Sequence, residues 1–310
     1  MMKSPRNTGL FQVNPFNSKP FYLLFGECHV LKNAKVPLIA LVQMNSSEDK
    51  IENLKLSVDF IKEAAKKKAS LICFPEFQMA FSPVDQSAKQ LAKVAESVND
   101  GNFISMLCTA AKRNKISVVA TIYERSSNQS DNRVYDTAVI INNNGSINSV
   151  YRKLHLYDAL GFRESDKMIP GDIIEKPAKT SAGSIGLMIC YDIRFPEMSR
   201  ILTVNGAEIL AAPSAWVNGV MKEEHWQTML KARAIENGSY VVAPNQIGHI
   251  YSGRSMVVDP FGAVLLDMGN REGVDVVEID KSRIQKVRES LPLLKNRRTD
   301  VYIDNINAFS

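Results

Sequence analysis

Cysteine is scarce in this chain, and its spacing removes two function classes. Cys28, Cys73, Cys108 and Cys190 are scattered, with no CxxC pair and no ligand-spaced cluster with the four histidines. Neither a zinc site nor a disulfide framework is expected, and a reducing, cytoplasmic setting fits. No apolar run approaches the roughly 20 residues that a membrane-spanning helix needs, so no membrane association is expected. Basic blocks are missing too. The 38 Lys and Arg stand against 33 Asp and Glu, and the net charge of +5 is spread along the chain. That argues against a nucleic-acid partner. After residue 36 there is no stretch rich in glycine, serine or proline, hence no linker and no low-complexity segment. What remains is an ordinary globular composition, 45% apolar and 23% charged over 310 residues, enough for a large core.

Residues 1–35 differ from the rest. They carry Lys3, Arg6 and Lys19, with no acid before Glu27. Pro5, Pro15 and Pro20 spoil an amphipathic helix, and no secretory apolar region is present. The segment reads as an unassigned surface extension, or as sequence added by an upstream start codon. An organellar transit peptide is the lesser reading. The domain then runs from 36 to 310.

From Pro37 the pattern alternates. PLIALVQMN reads as a buried strand. Ser46 or Ser47 then caps a helix whose face is Ile51, Leu54, Val58, Ile61 and Ala65. SLICFPE is a short buried strand ending at Glu76. A helical region from about Val84 to Lys115 breaks at Asn99 and Gly101, and its apolar stripe places Cys108 in the core. SVVATIYE is a strand. VYDTAVIINNNGSINSVYRKLHL is a hairpin turning at Asn144-Gly145, and Lys153 follows its second strand. Residues 156–173 form a polar, glycine-bearing loop, a candidate mobile lid. WVNGVMKEEHWQTMLKARAIENGSYVVAPNQIG repeats the order helix, glycine stop, strand. Arg233 and Glu236 on that helix read as a buried structural pair, while His225 and Trp226 fall at the pocket or at a dimer seam. SMVVDPFGAVLLD is a second hairpin, DVVEID a last strand and KSRIQKVRESLP a last helix. The basic tail has no core of its own. Strands and helices alternating with hairpins predict one α/β domain of mixed sheets with outer helices.

The densest stretch is 183–214, GSIGLMICYDIRFPEMSRILTVNGAEILAAPS. Gly183–Ile189 is a buried strand. A helix opens at Pro196, where proline suits the first position and Glu197 suits the dipole. Gly206 ends it, and Glu208–Ala212 begins the next strand. Cys190 sits where the first strand stops, beside free backbone N–H groups. A nucleophile belongs there, and so does a small buried apolar residue; the stretch alone leaves both readings open.

Three candidates stand at strand exits: Glu76, Lys153 and Cys190. A cysteine nucleophile needs a base for its proton and a cation or N–H groups for the oxyanion. Glutamate and lysine supply both, and a lysine beside the sulfur would favour the thiolate. Taken singly, Glu76 is also a loop acid and Lys153 a solvated lysine.

CFPE, YRK-HL and GLMICYDIRFPE together resemble the three signature segments of the nitrilase, or carbon–nitrogen hydrolase, superfamily. The likeness covers roughly residues 37–303. PSAW, HW, ARAIEN and PLLKNRR are similar to its Nit-like amidase branch, which includes omega-amidases and deaminated glutathione amidases. The resemblance implies a four-layer αββα sandwich of two mixed sheets between helix layers. It also implies no cofactor and a homodimer or larger homo-oligomer with C-terminal tails crossing to the neighbour. Glu76 would be the general base, Lys153 the oxyanion stabiliser and Cys190 the nucleophile. Glu164 matches the supporting second glutamate, and the Tyr191 N–H the second oxyanion donor. Arg194 and Trp216 could touch substrate, or serve as a salt-bridge partner and a core aromatic. The expected reaction is hydrolysis of a small carboxylate-bearing amide through a thioester. An N-carbamoyl amine hydrolase or a nitrilase would use the same triad. A binding scaffold on this fold would show a broken triad, and a glutaminase serving a synthetase would carry a fused second domain.

Overall fold

The chain builds two six-stranded sheets of the same design. The structure, a computed structural model, describes residues 36–128 and 130–306, so the extension at 1–35 lies outside the described residues. The first half supplies β1 (Leu38–Gln43), β2 (Leu71–Cys73), β3 (Ser117–Arg125), β4 (Val134–Ile141) and β5 (Ile147–Arg152). The second supplies β6 (Ala178–Lys179), β7 (Ser184–Leu187), β8 (Ile209–Ala211), β9 (Tyr240–Ala243), a small hairpin of β10 (Ile247–Gly248) and β11 (Tyr251–Ser252), then β12 (Met256–Val258), β13 (Val264–Asp267) and β14 (Gly273–Glu278). One sheet runs β14-β1-β2-β3-β4-β5 and the other β13-β12-β9-β8-β7-β6. In each, three parallel strands (β1, β2, β3; β7, β8, β9) are flanked by antiparallel ones.

Period-two alternation stacks these sheets. Ile39 and Leu41 of β1 face the second sheet, packing with Ile185, Leu187, Ile209 and Val242. Ala40 and Val42 face the other way, onto α1 (Lys50–Lys66), α2 (Ala88–Val94) and α3 (Asn102–Asn114). On the outer face of the second sheet lie α4 (Pro196–Val204) and α5 (Lys222–Asn237), through Leu202, Trp226 and Leu230. The layers are therefore helix, sheet, sheet, helix. The chain closes with α6 (Lys281–Ser290) and α7 (Thr299–Ile306). No described helix is long and apolar enough to cross a membrane.

Local signals read as expected at α4, which has Pro196 in its first turn, and at the helix stops Gly206 (φ +100°) and Gly238 (φ +55°). Others are corrected. Asp49, not a serine, caps α1 by accepting from Ile51 N at 2.8 Å, and the buried face of α1 is Asn53, Leu54, Ser57, Phe60, Ile61 and Ala64, with Ile51 exposed. Strand β2 stops at Cys73, three residues short of Glu76. Cys108 is only half-buried, at the edge of the helix-side core. The loop at 156–173 is fastened rather than loose. It holds a 3₁₀ turn, Glu164–Asp166, and Lys167 O, Ile169 N and Gly171 N all bond to β4 or to Lys153.

Candidate active site

Glu76, Lys153, Glu164 and Cys190 converge on one cavity floor. After β2, Phe74 N still bonds to Val119 O, while Pro75 has no N–H to continue the ladder. The chain leaves the sheet there and Glu76 turns inward, 1% exposed. Its Oε1 accepts from Lys153 Nζ at 2.7 Å and its Oε2 from Ala215 N at 2.7 Å. Lys153 follows β5, its N–H held by Asp136 O at 2.9 Å. Its ammonium also donates to both oxygens of Glu164, at 2.9 and 2.8 Å. Glu164 is fixed in turn by Tyr157 N, which donates to Oε2 at 2.7 Å.

Cys190 lies just past β7, at φ +42°. A non-glycine residue in the left-handed region is strained, and such strain gathers at functional sites. The turn is clamped from behind by Asp192. Its Oδ2 accepts from Tyr151 OH at 2.6 Å and from Ile189 N at 2.8 Å; its Oδ1 contacts His155 Nδ1 at 2.7 Å. The next residue, Tyr191, is the second of the 3₁₀ turn Cys190–Arg194, so its N–H is a first-turn donor without a helical partner.

The charges are not those of a resting thiolate. Burial, then the nearby Glu76 carboxylate, pushes the Cys190 thiol well above its ordinary pKa; Lys153 and the Ala215 N–H offset this only partly. Lys153 does favour the thiolate, as expected, but burial and Glu76 outweigh it, and two carboxylates share its ammonium. Burial opposes the charge on Lys153, but Glu164 and Glu76 outweigh it and hold its pKa well above normal. Glu164 is itself pushed upward by burial, despite Lys153.

Above the floor is a cavity of about 280 Å³ with walls that include Tyr157, Arg194, Trp216, Lys222 and Tyr251. Arg194 makes no salt bridge among the described residues. Its guanidinium lies over the Trp216 ring, 4.7 Å from the centroid. Trp216 is buried, its Nε1 donating to Lys222 O at 2.7 Å, yet its ring forms cavity wall. Lys222, which sequence reasoning passed over, is 6% exposed, and its Nζ lies 4.8 Å from the Trp216 centroid and 3.2 Å from Tyr157 OH. Burial, then Arg194, lowers its pKa. One signal was available: a lysine at the first position of α5 opposes the helix dipole. Trp226 does not line this cavity; it is core, donating to Arg254 O at 2.8 Å, and His225 is exposed on α5 away from the cavity walls. Arg233 pairs with Glu236 at 3.1 Å and donates to Ile193 O, as a structural pair would.

Two stacked mixed sheets, with a strained cysteine beside a buried carboxylate–ammonium pair, define a class of hydrolase that works through a cysteine. Comparison with known proteins gives the family. The carbon-nitrogen hydrolase pattern matches residues 38–289. Deaminated glutathione amidase of Bos taurus is 37% identical over 281 residues, covering 87% of this chain and 84% of that protein. The crystal structure of Saccharomyces cerevisiae Nit3, a member of branch 10 of the nitrilase superfamily, superposes with a TM-score of 0.76 at 31% identity, covering 86% of this chain and 97% of that one. A mutant of the amidase from Nesterenkonia sp. AN1, which carries acrylamide added at its active-site cysteine, superposes with a TM-score of 0.70 at 25% identity, over 86% of this chain and 99% of that one. The chain belongs to the carbon–nitrogen hydrolase family, and it is a hydrolase of amide-type C–N bonds.

Proposed function

We propose that this enzyme hydrolyses a small amide bearing a carboxylate, with Cys190 as nucleophile, Glu76 as general base and acid, and Lys153 with the Tyr191 N–H as oxyanion donors. One observation carries the substrate class: the cavity above Cys190 presents two cations, Arg194 and Lys222, with no carboxylate partner among the described residues. Lys222 is 6% exposed and Arg194 half-buried; a buried charge is costly unless paired, and a substrate carboxylate is the missing partner. Trp216, stacked against both cations, would fix the substrate's body, and Tyr157 OH would add a hydrogen bond.

The steps follow from the floor. As substrate enters, Glu76 takes the thiol proton and the sulfur attacks the amide carbon. Lys153 and the Tyr191 N–H hold the resulting oxyanion, and Glu164 keeps Lys153 in place. The tetrahedral species collapses, Glu76 gives its proton to the departing nitrogen, and a thioester remains. Water loses a proton to Glu76 as it attacks, and collapse releases the acid while the proton returns to sulfur. Each half uses one group as base and then acid, which splits a hard hydrolysis into two easier ones.

The test is release of ammonia or amine from a panel containing deaminated glutathione, alpha-ketoglutaramate, glutamine, a carbamoyl amino acid and an aliphatic nitrile. Turnover of a carboxylate-bearing amide, lost in Cys190→Ala, supports this reading. Preference for an uncharged amide, or for the nitrile, overturns it. Exposed Ile201 and Val204 on α4 and Ile235 on α5 support a homo-oligomer, which light scattering on the purified protein would size. The free thiols Cys73, Cys108 and Cys190 support a cytoplasmic, reducing location.

A further inference from the structure

The reaction uses two of the three carboxyl groups around Lys153. The third, Asp136, sits on β4 and is 1% exposed. Its Oδ2 lies 3.9 Å from Lys153 Nζ and has no hydrogen-bond partner. A buried carboxylate normally collects several donors, so the ionised form is badly served here. The groups facing it make matters worse. They are Glu76 and Glu164 from two loops, Lys153 beyond β5, and Tyr123, opposite it on β3. Tyr123 offers no proton, because its hydroxyl donates to Ala80 O at 3.0 Å. Lys153 already donates to Glu76 at 2.7 Å and to Glu164 at 2.9 and 2.8 Å. One ammonium would then answer three carboxylates. Asp136 and Glu76 meet on the same ammonium, 3.9 and 2.7 Å from Lys153 Nζ. Two carboxylates crowded on one cation are relieved when one of them takes a proton. A single proton on Asp136 resolves the missing donor and the charge excess together.

We propose that Asp136 is a protonated carboxylic acid in the working enzyme and that it positions the base by donating its O–H to the Glu76 carboxylate. The proposal rests on Glu76 being that base. Asp136 does not line the cavity, so it is a positioning residue. Neutral, it steadies Glu76 and leaves the charge of Lys153 for the oxyanion. Ionised, it would compete for Lys153 and make the Cys190 thiol harder to deprotonate.

Asp136→Asn keeps the shape and a neutral N–H donor; Asp136→Ala keeps neither. Hydrolysis by Asp136→Asn should stay within about 3-fold of wild type at neutral pH, while kcat of Asp136→Ala falls about 10- to 100-fold with little change in KM. Burial, then Glu76, raises the pKa of Asp136 well above its unfolded value. A group with a raised folded pKa contributes its stability fully below the unfolded pKa, about 4 for aspartate, and loses it as pH rises toward the folded one. Asn has no such loss. The melting temperature of Asp136→Asn should therefore gain on wild type as pH climbs from about 4 toward 8. The proposal is overturned if Asp136→Asn loses as much activity as Asp136→Ala, or if its stability deficit widens with pH. Wild-type protein labelled with carbon-13 at the aspartate carboxyls needs no variant. One resonance should remain at the protonated position at neutral pH, and a spectrum in which every aspartate is ionised overturns the proposal. The two readings fail separately, since full turnover by Glu76→Gln would remove the base assignment while the wild-type resonance still reported the proton on Asp136.

Discussion

At the floor of the cavity Lys153 meets Glu76 at 2.7 Å and Glu164 at 2.8 Å; along its wall Arg194 and Lys222 meet aromatic rings and no carboxylate. Both regions place positive charge out of open solvent, Lys153 and Lys222 buried and Arg194 half-buried. On the floor the protein supplies the counter-charges, so geometry is set before any ligand arrives. On the wall the rings supply only a quadrupole, worth about 1–2 kcal/mol at partly desolvated sites, and the formal charges stay open. Paired charge in a cavity marks chemistry and open charge marks recognition. The contrast can be tested from both sides.

The largest effect is expected on the floor. Lys153→Met should lower kcat/KM by at least about 10³-fold, because it removes the proposed oxyanion donor and leaves buried carboxylates without a partner. It should also cost about 3–5 kcal/mol of stability in urea unfolding. Arg194→Met and Lys222→Met should each raise KM about 10- to 100-fold for a carboxylate-bearing amide, with kcat changed far less and stability unchanged or improved. A wall variant that unfolds like Lys153→Met would erase the distinction.

A smaller effect sharpens the account of the floor. Burial and Glu76 both raise the Cys190 pKa, so the thiol stays protonated below that raised value. Alkylation of Cys190 by iodoacetamide should be slow at neutral pH and still rise with pH above the ordinary thiol range. Removing the charge in Glu76→Gln should lower the pKa and speed alkylation several-fold, about 3- to 10-fold, while hydrolysis falls. Slower alkylation in Glu76→Gln would mean that Glu76 already holds the thiol proton. The smallest effect is expected at Cys108. It is half-buried on α3, against the helix-side core and not among the cavity walls, and Cys108→Ser should shift stability by less than about 1 kcal/mol without changing activity.

Much of this site was legible because its signals are local. The glycine stops, the proline opening α4, the Asn144-Gly145 turn and the apolar alternation of β1 are written within a few residues of where they act. They place Glu76, Lys153 and Cys190 near the exits of strands, and the motifs around them then name the chemistry. Even there the sequence overshot: β2 ends at Cys73, and the chain from Phe74 to Glu76 is turned inward by the sheet ladder stopping at Pro75. The loop at 156–173 looked like a lid because its composition is polar, yet bonds to β4 and to Lys153 pin it.

What the sequence by itself determined is the set of elements, their order and the three candidate side chains, because hydrophobic period, turn chemistry and helix ends are short-range. What only the tertiary structure decided is the state of those side chains. Glu76 meets Lys153 across 77 positions of the chain and Ala215 across 139. Asp136 becomes a third carboxyl around one ammonium, and Lys222 a second open cation beside Arg194, only when the sheets stack. Charge, unlike hydrophobic period, acts through space, and its sign and cost are set by whichever groups the fold brings within a few ångströms in a dry interior.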